Sequence, residues 1–312
     1  MYPFDMSLSA PELEQQFGAL LNRIDRLQNR TDISELSGGL TNRNLKVTTP
    51  DGIYVARISS NESGLLAIDR ASEYENSKIS AEAGIGAPVY DYLPGEGLLV
   101  IGYIPGRTYS SQDVGENLSR IAQSVRTLHR ARPFARDFDM FKVQANYLKI
   151  VHERGFRLPK EYEKFQIFHS ELFAAMSATD TGKVPCNNDL LPANFIDDGE
   201  KIWLIDYEYS GNNDACFELG NIWSESGLPI QALEELVTAY YGQHQPDKFA
   251  RAWLFSVLAK YGWTLWASIQ DGISDLDFDF WQWGMMKYDD VQRDFGSEFY
   301  RKQLANLSPS AH

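Results

Sequence analysis

The stretch CNNDLLPANFIDDGEKIWLIDYEYSG, residues 186–211, contains two short apolar segments with polar residues on both sides. Residues 195–196 and 202–205 each predict a short strand. The acidic residues and the glycine of 197–200 are typical of the turn between two strands. The stretch therefore predicts a β-hairpin whose open end brings the residue before its first strand close to the residue after its second.

Polar side chains lie at this open end. Asn194 precedes the first strand, Asp206 follows the second, and Asp189 lies on the loop before the hairpin. Carboxylate and amide oxygens are hard ligands that can hold a divalent metal, with one carboxylate left free as a general base. The alternative is a surface hairpin with acidic ends, because an aspartate followed five residues later by an asparagine is common by chance.

The composition is typical of a globular protein. A chain of 312 residues is long enough for two lobes, and its net charge of −14 argues against nucleic acid as a partner. Its two cysteines, Cys186 and Cys216, form no disulfide framework, which fits a reducing compartment. The N-terminus lacks the pattern of a signal peptide, and no stretch has the apolar length of a membrane span. These features predict a cytoplasmic protein.

A second polar segment lies near the N-terminus. Gly38 and Gly39 predict a tight turn whose backbone N–H groups can face an anion. Asn42 and Asn44 follow directly and add side-chain donors. The alternative is an ordinary glycine hairpin. The strand predicted at 54–58 carries Arg57, whose guanidinium can form forked hydrogen bonds with phosphate oxygens.

These segments resemble the choline/ethanolamine kinase family, a branch of the protein-kinase-like phosphotransferases. The resemblance extends from about residue 36 to 290 and includes the sequences GGLTNRN, NDLLPANFI and LIDYEY. It implies an α+β, bilobal protein-kinase-like fold, with a small β-rich N-lobe (residues 1–102) and a larger, mainly helical C-lobe (residues 103–312). It also implies an enzyme that uses ATP and Mg²⁺.

The resemblance assigns roles to residues at the nucleotide end of the site. The segment Gly38, Gly39, Thr41, Asn42 and Asn44, together with Arg57, would hold the phosphates of ATP. Glu73, on a helix predicted over 65–83, would pair with Arg57 and fix its position, with Glu75 as the alternative. Ile104 belongs to the predicted hinge between the lobes, where backbone groups would bind adenine.

At the centre of the site, Asp189 would accept the proton of the substrate hydroxyl. Asn194 and Asp206 would hold magnesium, with Glu208 as a direct ligand or an indirect helper. One residue departs from the family pattern, because Asn187 stands where the family usually has a histidine that supports the loop. Asparagine can donate and accept hydrogen bonds, so activity is expected, but a catalytically silent amine binder is the alternative.

The C-terminal part of the chain supplies candidate substrate residues. Trp263 and Trp266 are three residues apart and share one face of a predicted helix. By resemblance, these indoles, Trp283 and the carboxylate of Glu225 would surround a quaternary ammonium group, which aromatic faces bind by cation–π attraction. The predicted reaction is the ATP-dependent phosphorylation of choline to phosphocholine. Ethanolamine, an aminoglycoside or another small alcohol is the alternative substrate.

Overall fold

A computed structural model describes residues 8–36, 41–59, 63–179 and 181–307. The helices within these ranges are α1 (Ala10–Leu21), α2 (Arg70–Glu82), α3 (Ser111–Glu116), α4 (Leu118–His129), α5 (Met140–Arg154), α6 (Gln166–Ala178), α7 (Ala215–Glu225), α8 (Ile230–Tyr241), α9 (Pro246–Ile273), α10 (Phe280–Asp294) and α11 (Glu298–Leu307). The strands are β1 (Asp32–Leu36), β2 (Asn42–Thr49), β3 (Gly52–Ser59), β4 (Val89–Leu93), β5 (Leu98–Gly102), β6 (Arg107–Thr108), β7 (Val184–Cys186), β8 (Phe195–Asp197), β9 (Ile202–Leu204) and β10 (Gly211–Asn213).

The N-terminal part is built on an antiparallel sheet with the strand order β1-β2-β3-β5-β4. Alternation along β3 places Ala56 in the apolar cluster that packs against α1, so the next side chain, Arg57, points to the opposite face. Asn44 of β2 is the register partner of Arg57. The sheet therefore holds Asn44 and Arg57 side by side on the face that borders the C-terminal part.

The C-terminal part is mainly helical and is organised around α9, which is 28 residues long. Every residue from 250 to 270 of this helix is buried, because other helices pack around it. The predicted hairpin is present as β8 and β9, with Phe195 opposite Leu204. A β-rich N-terminal part and a helical C-terminal part match the predicted fold class.

The division between the two parts falls near the end of the sheet. Strand β5 ends at Gly102, and β6 already pairs with β8 of the C-terminal part. We therefore propose residues 1–102 and 103–312 as the two lobes.

The prediction of a helix over 65–83 is wrong about where the helix begins. Residues 63–66 form a 3₁₀ turn, and Ala67 has a φ of 60°, which interrupts helical geometry. The α-helix begins at Arg70 because the Asp69 side chain accepts hydrogen bonds from the backbone N–H groups at the first turn of α2.

None of the helices in the described ranges combines the length and the hydropathy that a bilayer-spanning segment requires.

Candidate active site

Hydrogen bonds join the loop that carries Asp189 to the β8–β9 hairpin. Asn194 donates from Nδ2 to the carbonyl of Asp189 at 2.8 Å, and its own carbonyl accepts from the Ile205 N–H at 3.0 Å. These contacts bring Asp189, Asn194 and Asp206 together at the open end of the hairpin, as the sequence predicted. They use the backbone carbonyl and the side-chain nitrogen Nδ2 of Asn194 and leave its side-chain oxygen Oδ1 for another partner.

Asn187 supports this loop directly. Its Nδ2 donates to the carbonyls of Ile205 and Asp206 at 3.1 and 2.8 Å, and its Oδ1 accepts from the Asp189 N–H at 3.1 Å. A single buried carboxamide thus connects the backbone of Asp189 to the segment that carries Asp206. The substitution for the family's usual histidine therefore leaves the loop with side-chain support.

A second layer of support was not predicted from sequence. Glu218 of α7 accepts hydrogen bonds from the N–H groups of Asn187 and Asn188 at 2.8 and 3.2 Å. Its other oxygen lies 2.6 Å from Nε2 of His129, whose Nδ1 lies 2.7 Å from the Tyr240 hydroxyl. His129 is thus a structural hydrogen-bonding residue, and Glu218 fixes the backbone that leads into Asp189.

Arg57 connects the two lobes. Its Nη2 lies 2.6 Å from Oδ1 of Asp206 and 3.1 Å from Oε1 of Glu73. The pairing of Arg57 with Glu73, which the sequence argument expected, is therefore present in the structure. The guanidinium lies between a carboxylate of the N-terminal helix α2 and the acidic residue that follows β9.

Glu208 is held by residues of the N-terminal lobe. It accepts hydrogen bonds from Thr41 Oγ1 at 2.7 Å, Asn42 Nδ2 at 2.7 Å and Arg70 Nη1 at 3.2 Å. Burial and the nearby carboxylate of Asp206 raise the pKa of Glu208 to about 7. Both carboxylate oxygens of Glu208 already accept hydrogen bonds. These contacts favour an indirect role at the metal site over direct binding of magnesium by Glu208. Sequence reasoning gave Arg70 no role.

A cleft of about 280 Å³ lies between the sheet and the hairpin. Its lining includes Asn44, Val55, Arg57, Ile104, Asn194 and Asp206. Along the hinge, the N–H groups of Gly102 and Tyr103 donate to backbone carbonyls at 2.8 and 3.1 Å. Within the described ranges, the N–H of Ile104 has no such partner. Two other residues predicted for this cleft, Gly38 and Gly39, lie outside the described residues.

A larger cavity of about 500 Å³ extends from the hairpin into the helical lobe. The predicted catalytic residue and the predicted substrate residues all line it: Asp189, Glu225, Trp263, Trp266 and Trp283. The tertiary structure thus brings side chains from a loop and three helices, α7, α9 and α10, to one space.

Indole rings form one wall of this cavity. The rings of Trp266 and Trp283 are 5.4 Å apart and tilted by 64°, and Trp263 packs against Tyr209 with the ring centroids 5.1 Å apart. Trp266 donates from Nε1 to the Tyr209 hydroxyl at 2.8 Å. This bond uses the polar atom of Trp266, so the ring face is what remains for a ligand.

Glu225 has a partner that sequence reasoning missed. Lys287 of α10 places Nζ at 2.7 and 2.8 Å from the two carboxylate oxygens of Glu225. The same ammonium group lies 4.3 Å from the ring centroid of Trp283. The only available signal was that Lys287 follows Trp283 by one helical turn and so shares its face.

The surroundings of Asp189 favour its protonated form. Burial raises the pKa of Asp189 well above its usual value, and the carboxylates of Asp206, Glu225 and Glu208 add to this effect. The positive charge of Lys287 acts in the opposite direction. A carboxylate with a raised proton affinity is suited to accept a proton from a hydroxyl group.

A hairpin and loop of this kind, placed between a β-rich lobe and a helical lobe, define a phosphotransferase with a protein-kinase-like fold. The sequence profile of the choline/ethanolamine kinases matches residues 33–254, and the chain belongs to this family. Members of the family are kinases that use ATP and act on small amino alcohols.

Comparison with individual proteins gives the same family. Ethanolamine kinase 2 of Mus musculus is 24% identical over 282 residues, which cover 80% of this chain and 72% of the mouse protein. The crystal structure of a choline/ethanolamine kinase family protein from Mesorhizobium loti has a TM-score of 0.83 and 27% identity, covering 95% of this chain and 99% of that one. Choline kinase LicA from Streptococcus pneumoniae shares the fold, with a TM-score of 0.74 and 21% identity over 94% of this chain and 99% of LicA.

Proposed function

We propose that this chain transfers the γ-phosphoryl group of ATP to the hydroxyl of choline and forms phosphocholine. The observation that carries this proposal is the single cavity in which Asp189 and three indoles line the same space. A small amino alcohol bound with its cationic end against the indoles can direct its hydroxyl to Asp189. The free cysteines Cys186 and Cys216 fit a cytoplasmic enzyme.

The nucleotide would occupy the neighbouring cleft. Arg57 and Asn44 lie side by side on its wall, where forked and amide donors can bind phosphate oxygens. The N–H of Ile104, which has no partner within the described ranges, can donate to an adenine edge at the hinge. Thr41 and Asn42 would then act partly through Glu208, whose carboxylate they already contact.

The residues present fit a magnesium ion. Asp206 supplies a carboxylate that lines both the cleft and the cavity. The side-chain oxygen Oδ1 of Asn194 is also available, because this side chain bonds to Asp189 through Nδ2. These hard oxygen donors are the kind that Mg²⁺ prefers. When bound, the ion would neutralise the charge that develops on the phosphate oxygens. Glu208 would hold Thr41 and Asn42 beside this site.

Asp189 would orient the substrate hydroxyl and accept its proton as the oxygen attacks phosphorus. Its pKa is raised by burial and by neighbouring carboxylates, which increases its proton affinity. Asn187 accepts a hydrogen bond from the Asp189 N–H, and Glu218 accepts one from the Asn187 N–H. These bonds fix the backbone from which the Asp189 carboxylate projects. Most of the rate acceleration would come from such positioning and from charge neutralisation.

We propose choline rather than ethanolamine as the preferred substrate. A trimethylammonium group has no N–H to donate, and aromatic faces with a nearby carboxylate recognise it. Trp266 and Trp283 supply the aromatic faces, and Glu225, paired with Lys287, lines the same cavity. Ethanolamine, an aminoglycoside or another small alcohol is the alternative substrate, and a silent amine binder is the alternative from another class.

The test is a substrate panel in which ADP release is measured with ATP, Mg²⁺ and each alcohol in turn. We expect turnover with choline and a lower kcat/KM for ethanolamine. Equal values for both would remove the preference for choline. Calorimetric binding of choline without any turnover would contradict the kinase and favour the silent binder.

Trp266→Ala should raise the KM for choline by about 5- to 30-fold with a smaller change in kcat, because a desolvated cation–π contact contributes roughly 1–2 kcal/mol. The measurement is initial-rate kinetics with choline varied at saturating ATP. Trp266→Phe is the matched control, since it removes the hydrogen bond to Tyr209 and keeps an aromatic face. A collapse of kcat in Trp266→Ala at unchanged KM would show that Trp266 is not part of the cation site.

A further inference from the structure

The carboxylate in the proposed cation site is backed by a lysine. Glu225 is the last residue of α7, and Lys287 lies on α10 one turn after Trp283. The two charged side chains are mostly buried, with exposed fractions of 10% for Glu225 and 13% for Lys287. Among the described residues that line the cavity, Glu225 and Trp283 are present and Lys287 is not. The ammonium group therefore lies behind the cavity wall.

This arrangement changes what Glu225 offers to a ligand. Both of its oxygens lie within hydrogen-bond distance of the same ammonium group, at 2.7 and 2.8 Å. The pair presents no net charge, and the lone pairs of the carboxylate are partly engaged from behind. A ligand in the cavity therefore faces a carboxylate whose negative charge is already neutralised by Lys287.

The other polar atoms on this wall do not replace the engaged acceptor. The indole nitrogens of Trp263 and Trp266 can only donate hydrogen bonds. The Tyr209 hydroxyl accepts one hydrogen bond from Trp266, at 2.8 Å, and an uncharged hydroxyl is a weaker acceptor for an ammonium group than a free carboxylate. A primary ammonium has N–H groups that need acceptors once they are removed from water, whereas a trimethylammonium group has none to satisfy.

We infer that Lys287 is a specificity-determining residue, which disfavours primary amines by engaging the carboxylate of Glu225 and so favours methylated ammonium groups. This inference rests on the proposed function, because it concerns the choice among amino alcohols at the same site. A primary amine would have to share Glu225 with a second, buried ammonium group. A quaternary amine needs only the faces of the indole rings and the weak electrostatic attraction that the Glu225–Lys287 pair still exerts.

The test is Lys287→Met, which removes the ammonium group and keeps an unbranched apolar chain against Trp283. We expect the ratio of kcat/KM for ethanolamine to that for choline to rise roughly tenfold, because the freed carboxylate can accept a charged hydrogen bond. Calorimetric dissociation constants for both amines should shift in the same sense. The surface variant Lys78→Met, which removes an exposed ion pair with Glu75, is the matched control and should leave the ratio unchanged.

The double variant Lys287→Met/Glu225→Gln makes the test specific. It replaces the buried ion pair with a neutral pair, so the ethanolamine gain of the single variant should disappear. An unchanged ratio in Lys287→Met, or a parallel loss for both amines, would overturn the inference and leave Lys287 with a structural role. If the wild-type protein turns over no amino alcohol, the proposed function fails, and the dissociation constants of the two amines still decide whether Lys287 discriminates between them.

Discussion

Asp189→Asn is expected to lower kcat by about 10³-fold, because the amide cannot accept the hydroxyl proton and a positioned general base contributes roughly 10²- to 10⁴-fold. The side chain keeps its size, so the dissociation constants for nucleotide and choline should change little. The measurement is steady-state ADP release together with calorimetric binding of choline. A variant that retains most of the wild-type kcat would exclude Asp189 as the base.

Stability separates this effect from misfolding. Because the folded-state pKa of Asp189 is raised, its ionised form destabilises the folded protein as the pH rises above the usual carboxyl range. The neutral asparagine avoids this cost, so Asp189→Asn should unfold in urea at the same or a higher concentration than wild type at neutral pH. Asp51→Asn, in an exposed Asp-Gly turn, is the matched surface control and should alter neither kcat nor stability measurably.

Asp206→Asn is expected to lower kcat/KM for ATP by about 10²- to 10³-fold and to shift activity to higher Mg²⁺ concentrations, since a metal-binding carboxylate is lost. Asp206 has a φ of 63°, a left-handed conformation that asparagine also tolerates, so the backbone should be retained. The measurement is a magnesium titration of the ATP-dependent rate at saturating choline.

Asp206 also pairs with Arg57, so a second variant must separate the two roles. Glu73→Gln removes another carboxylate partner of Arg57, 3.1 Å away, and leaves the residues predicted to bind the metal unchanged. We expect it to raise the KM for ATP less than Asp206→Asn does and to leave the magnesium dependence as in wild type. If the two variants gave the same loss and the same magnesium dependence, Asp206 would act through Arg57 alone.

Sequence reasoning succeeded where chemistry and local geometry coincide. The hairpin around 197–200 is set by turn residues between two apolar segments, so the meeting of Asn194 with Asp206 follows from local rules. It failed at the start of α2, where apolar residues continue a helical pattern. There the Asp69 cap and the left-handed Ala67 move the helix start to Arg70, and local periodicity does not reveal either feature.

The sequence indicated which aromatic residues could bind a cation, but not which residues lie beside them in the folded chain. Trp263 and Trp266 share a helical face because three residues make nearly one turn. Whether these indoles share one space with Asp189 depends on how α9 packs against the rest of the chain, and only the cavity lining shows it. The resemblance to a family suggested this proximity, whereas periodicity alone did not.

The sequence by itself determined the loop, the hairpin and the residue types that can bind metal, phosphate and a cation, because spacing along the chain fixes geometry over a few residues. Only the tertiary structure decided which distant side chains partner the buried carboxylates. Glu225 with Lys287, Glu218 with His129 and Glu208 with Asn42 are separated by 62, 89 and 166 residues. Burial makes such pairing necessary, because a carboxylate without a partner in the interior costs free energy. Which residue becomes the partner depends on how elements far apart in the sequence pack together.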